Sequence, residues 1–197
     1  MHKTFVSIPL IAAVALLTGT AFAGQPVTQT LTPTPPSFLT CKAMGSGTIC
    51  EGSRAFTVDP HPDFVCASGV VIYDQGTVRQ VVIRYYDTNG NLTRRVIHEF
   101  WSDAQKSNPL TGASASYTQA SNITDVLAVP GDFSSATETV TGQGSITVPG
   151  LGAVLLNAGR FIFGPDGTLD FRAGPQAFLD YGNGDISVTD RLCAALA

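Results

Sequence analysis

Two side chains in this sequence have the chemistry to orient or act on a small molecule, His98 and Glu138. An imidazole titrates near neutrality, so a modest change of surroundings converts it between acceptor and donor, or between base and acid. A carboxyl group at the end of an apolar strand can accept a ligand's hydrogen bond or, with its pKa raised, deliver a proton. Arg79, Arg94, Tyr85 and Phe100 flank His98 on the same or the preceding strand-like run and would add charge and aromatic surface. The plainer readings are a neutral core histidine and a solvated rim glutamate. Other chemical templates fail. Gly112-Ala113-Ser114-Ala115-Ser116 lacks the closing glycine of a nucleophile elbow, and His98-Glu99 has no second histidine after it. Asp87-x-Asn89-x-Asn91 opens like a calcium loop but puts Leu92 sixth and His98 twelfth. No catalytic set, metal site or cofactor is predicted.

The elements that must position these groups are strands. Thr77 to Tyr86 and Leu92 to Trp101 are rich in β-branched and aromatic residues, and Asn89-Gly90 between them is a hairpin signal. With Asn89 and Gly90 as a two-residue loop, paired positions sum to 179. His98 then faces Val81, Phe100 faces Arg79, and Arg94 faces Tyr85, while the other face sets Arg84 against Arg95. Like charges opposite one another are unfavourable unless water screens them, so the His98 face is assigned to the interior. A one-residue slip would exchange the faces. In Ala136 to Val148, alternation puts Glu138 with Val140, Gly142, Gly144 and Ile146 on one face, and Thr137, Thr139 and Thr141 on the other. Glycines on the inward face would let that strand bend.

Further strands are expected at Ala55 to Val58, within an otherwise irregular stretch from Phe38 to Pro62, at Val70 to Tyr73, Ala113 to Val129, Ala153 to Phe163, Thr168 to Ala173 and Asp185 to Val188. Ser102 to Thr111 reads as a polar loop, Gly164-Pro165-Asp166-Gly167 as a tight turn, and Asp190 to Leu196 as a terminal helical turn. The fold class predicted is all-β: an antiparallel meander of seven or eight strands closed into a small barrel, with a β-sandwich as the alternative. Tyr85, Phe100, Phe161 and Phe163 would fill the barrel or line a lipophilic cavity in it.

Residues 1–23 have the layout of a secretory signal peptide: a positive start at Lys3, an apolar run from Val6 to Leu17, and a small-x-small site ending at Ala23. Residues 24–37, Thr/Pro-rich, are expected to be a disordered leader, and residues 38–197 a single β domain. Loss of Lys3 takes the net charge from −4 to −5. A mildly acidic chain without a basic cluster argues against nucleic acid, and no second apolar run predicts insertion of the mature chain in a membrane. Four cysteines in an oxidising compartment suggest two disulfides with three connectivities. Cys41–Cys50, which closes a small loop through Gly45 and Gly47, and Cys66–Cys193, which ties back the C-terminal tail, are favoured. Secretion to the extracellular side is the predicted location.

The signal peptide, the Cys41/Cys50 pair, the Asn-Gly hairpin, Gly159-Arg160-Phe161, the Pro-Asp-Gly turn and Asp190-Arg191-Leu192-Cys193 together resemble small secreted bacterial proteins with a β-barrel-like domain. The resemblance spans Cys41 to Leu196; it implies the fold and carries no catalytic residue. Three functions follow as expectations. The first is a binding module for a small apolar or amphipathic ligand, oriented by His98 and an arginine. The second is an extracellular or envelope interaction protein with a filled core. The third, ranked last, is a barrel isomerase or cyclase using His98 with Glu138.

Overall fold

A computed structural model describes residues 26–148 and 150–197. The proposed signal peptide lies outside the described residues. Eight strands follow one another and pair in sequence order in one antiparallel sheet: β1 (Thr40–Met44), β2 (Gly47–Val65), β3 (Val71–Tyr86), β4 (Leu92–Ser107), β5 (Ser114–Leu127), β6 (Ala136–Val148), β7 (Gly152–Phe163) and β8 (Leu169–Ala173). A 3₁₀ turn at Phe133–Ser135 precedes β6; α1 (Ala177–Gly182), a 3₁₀ turn at Ile186–Thr189 and α2 (Asp190–Ala195) end the chain. The all-β meander is as expected, and both favoured disulfides are formed.

The sheet does not close into a barrel. Closure needs first and last strands that match their neighbours in length and stagger. Here β1 covers only Gly47 to Glu51 of β2, β8 covers only Arg160 to Phe163 of β7, and no pairing joins β1 to β8 among the described residues. The open edge of β2 is guarded by Pro60 and Pro62, which cannot donate to a further strand, and by irregularities on either side of His61-Pro62. These prolines also explain why β2 was legible only as a short strand.

The hairpin shows how local chemistry sets register. Gly90 N–H donates to the Asp87 carbonyl, and the Asp87 carboxylate accepts from the amides of Asn89 and Asn91. The loop is thus one residue longer than two. An irregularity between Tyr85 and Tyr86 absorbs the extra residue, so Tyr85↔Arg94, Val81↔His98 and Arg79↔Phe100 pair as predicted. Gly90 has φ 82°, and a Cβ there would lie 2.2 Å from the Thr30 carbonyl oxygen. Only glycine fits.

That contact brings in the N-terminal segment, which is not the unpacked leader expected from its composition. Thr32 pairs with Asn91, its amide bonding Gly90 O and its carbonyl accepting from Leu92 N. Leu31 is buried, and the Tyr86 hydroxyl donates to Pro33 O. Leu31 and Val27 on the core cluster, the Gln29 side chain on Thr48 and a strand-like backbone anchor it.

The core lies in two clusters at opposite ends of the strands. One gathers Leu31, Cys50, Tyr86, Leu92 and Leu127 with Phe133 packed on them. The other gathers Phe64, Ile72, Ala104, Tyr117, Ile146, Val154 and Leu155 beneath Leu192 and Leu196 of the C-terminal tail. The Asp185–Val188 region expected as a strand forms the 3₁₀ turn instead, with the Ser187 N–H donating to the Asp185 carboxylate. In β4 the chain continues through the expected loop as far as Ser107.

Candidate functional site

Antiparallel pairing lets the inner face be read row by row, because directly paired residues share a face. Four rows cross the six central strands between the two core clusters. From the C-terminal-helix end they are Phe56-Val78-Trp101-Gln119-Gly144-Asn157, then Arg54-Gln80-Glu99-Ser121-Gly142-Gly159, then Gly52-Val82-Ile97-Ile123-Val140-Phe161, and last Cys50-Arg84-Arg95-Asp125-Glu138-Phe163. Val78, Gln80 and Val82 are buried, whereas Arg79 and Val81 beside them are exposed. The interior face is therefore the one opposite to that assigned from sequence. His98, Arg79, Arg94, Tyr85 and Phe100 all stand on the outer face.

The reason is where the charges of the last row go. Arg95 Nε donates to the buried Asp125 at 2.6 Å, and the guanidinium groups of Arg84 and Arg95 lie over the Phe133 ring at 5.8 and 4.8 Å. The Asp125 carboxylate pairs with Arg95 and the Phe133 ring faces both guanidinium groups, so protein groups meet the two like charges. Glu138 completes the row beside Asp125. Burial, followed by the Asp125 charge, holds its carboxyl above the usual range against the opposing pull of Arg95.

In the second row a relay of hydrogen bonds runs across three strands. Arg54 Nε donates to Gln80 Oε1 at 2.8 Å, Gln80 Nε2 donates to Glu99 Oε2 at 2.6 Å, and Trp101 Nε1 donates to Glu99 Oε1 at 2.9 Å. This chain fixes the Gln80 amide and aims the Glu99 carboxylate. Toward β6 and β7 the rows lose their side chains at Gly142, Gly144 and Gly159. At Gly142 a Cβ would meet the Ala120 carbonyl oxygen at 2.4 Å; at Gly159, with φ 128°, it would meet the Ala173 carbonyl oxygen at 2.0 Å. The glycines thus serve close backbone packing, and their second effect is to leave space on the inner face.

That space is a groove of about 440 Å³. Its floor is the glycines, its apolar wall Ile123, Val140, Phe161 and Phe163, and its polar groups Glu99, Gln119, Ser121, Glu138, Asn157 and Gln176. Phe161 and Phe163 meet edge to face with centroids 5.3 Å apart. A pocket with apolar walls and a few convergent polar groups is the usual form of a small-molecule site.

Of the residues singled out from sequence, Glu138 is in this groove. Arg79, His98 and Phe100 line a separate depression of about 580 Å³ on the opposite face, where the His98 ring meets Asn122 across the strand pair. Arg94 stacks on Tyr85, 4.0 Å from its centroid, farther along that face. The sheet stands between His98 and Glu138, so the two cannot serve one substrate, and no isomerase pair is brought together. Glu99, Gln119 and Asn157 were missed; nothing within β3 and β4 alone marks the Glu99 face as the inner one.

Glu138 gives a pH test. A carboxyl whose folded pKa is raised keeps its proton where the unfolded chain has lost it, so stability falls as pH rises. From its ordinary value near 4.5 upward, the wild-type chain should lose stability through the folded pKa, and Glu138→Gln should flatten that part of the profile. Urea midpoints measured between pH 4 and 8 check this.

Compared with protein-family models, curated proteins and solved structures, the chain matches none of them.

Proposed function

We propose that this chain is an exported binding protein which holds a small amphipathic molecule in the inner-face groove. The observation that carries the reading is the groove itself: side chains are missing at Gly142, Gly144 and Gly159 while Phe161 and Phe163 and the carboxyl groups of Glu99 and Glu138 remain around the space. An apolar body would bury its surface on Ile123, Val140 and the two phenylalanines, at roughly 25 cal/mol for each Å² removed from water. Its polar end would meet Glu99, Gln119, Glu138 or Asn157. Export is supported by the signal-like N-terminus and by two disulfides with no free cysteine among the described residues. Among the described residues no helix is long and apolar enough to cross a membrane.

A non-denaturing mass spectrum of the exported protein, compared with its denatured mass, tests the reading. A discrete excess lost on denaturation supports a bound small molecule. Ser121, half-buried in the groove, gives the matching variant. Ser121→Leu should fill part of the space and lower that excess, or the affinity for an added apolar amphiphile, by tenfold or more. Unchanged binding in a folded Ser121→Leu protein would place the ligand elsewhere.

A further inference from the structure

We propose that the groove selects a cationic amphiphile, an ammonium head on an apolar body, over neutral and anionic ones; this rests on the groove being a binding site. The sign of the wall carries the argument. Glu99 and Glu138 line the groove, and no lysine or arginine does. Cations on the same face are committed elsewhere: Arg95 to Asp125 at 2.6 Å, Arg54 to Gln80 at 2.8 Å and to the faces of Phe38 and Phe56, and Arg172, paired with Phe161 on β8, to Asp180. An ammonium entering the groove meets two carboxyl groups as acceptors in a half-buried setting, where charge interactions outweigh their value in bulk water. A carboxylate or phosphate head meets the same two groups as like charges, and like-charge juxtaposition excludes wrong ligands. Phe161 and Phe163 line the same space, and an aromatic face that meets the ligand attracts a cation and repels an anion. The groove defines the site, and the carboxyl groups set which charge it accepts. A cation beside Glu138 also favours the ionised form that burial opposes.

The single tryptophan makes the test direct. Trp101 donates to Glu99, which lines the groove, so its fluorescence reports what binds there. Full-length exported protein is titrated at pH 7 with decylammonium, decanol and decanoate, each below its micellar concentration, with non-denaturing mass spectrometry as the second readout. The expected result is decylammonium binding at least tenfold tighter than decanol, with decanoate weaker than both. Glu138→Gln, nearly isosteric, should lower the decylammonium-to-decanol ratio severalfold. Equal affinities for the three, or decanoate binding tightest, would overturn the charge preference and leave the binding reading standing. No binding of any of the three by either readout would overturn both. Should Glu138→Gln fail to fold, Glu99→Gln read by the same ratio takes its place, and a ratio unmoved by a folded variant counts against the proposal.

Discussion

Lys106→Met is expected to destabilise the fold by about 3–5 kcal/mol, the usual cost of removing one partner from a buried ion pair. Lys106 is almost fully buried, with its Nζ 2.7 Å from Asp63 and 2.9 Å from Asp74. Asp74 is also buried, and both its oxygens accept from the Tyr117 hydroxyl, at 2.9 and 3.0 Å. Burial and the Asp74 charge push the Tyr117 phenol far above its usual range, so it remains a donor throughout. Methionine would fill the space of the lysine stem and leave the Asp74 charge without its cation inside the larger core cluster. Since whole domains are stable by about 5–15 kcal/mol, the loss would be visible at once in a urea midpoint. Two companions separate charge from packing. Asp63→Asn, at the more accessible partner, should cost about 1 kcal/mol or less. Adding Asp74→Asn to Lys106→Met should restore part of the loss, because the amide removes the orphaned charge. If the double variant were as unstable as Lys106→Met alone, the lysine stem's packing and not its charge would be the cause.

Replacing both Cys66 and Cys193 by Ala should have an effect of similar size. The two residues are 127 positions apart, and cross-linking so long a loop restricts the unfolded chain by about 5 kcal/mol on the chain-entropy account. The nine-residue separation of Cys41 and Cys50 gives about 3 kcal/mol on the same account. The larger effect should also be local in the folded state. Leu192 and Leu196 flank Cys193, are almost fully buried, and close the end of the sheet with the Leu196 carbonyl accepting from Asn108 and Thr111. Without the tie, hydrogen exchange in Asp190–Ala195 should speed up before the central strands respond. Denaturation of the two double-Ala variants side by side ranks the bridges. A smaller loss at Cys66/Cys193 than at Cys41/Cys50 would mean that the tail is held by packing alone.

How far the sequence disclosed this arrangement depends on the distance over which each cause acts. The β3–β4 pairing follows from Asp87, Asn89 and Gly90, which lie within the turn itself, so it was readable. So was the inward face of β6, because Val140 and Ile146 alternate with threonines on one strand. The interior face of the hairpin was not readable. Arg84 opposite Arg95 looks like a pair for solvent until Asp125 and Phe133, contributed by β5 and the 3₁₀ turn after it, arrive to receive them. Those partners lie 30 or more positions away. The full length of β2 was hidden by Gly52, Pro60 and Pro62, each a local argument for a break that pairing with β3 overrides. Glu138 was found in the groove because its cause is alternation; Glu99 was lost with its face.

The two-ended core has a consequence for how this protein can change over time. Cohesion resides at the strand termini, in clusters clamped by a disulfide at either end, while the middle rows present single side chains to the groove. Substitutions at Ser121, Ile123, Val140 or Phe161 reshape the groove and leave the residues of the two clamps in place. On the proposed binding role, recognition and foldedness fall under separate genetic control, which leaves the scaffold free to drift from one ligand to another without first passing through an unstable ancestor.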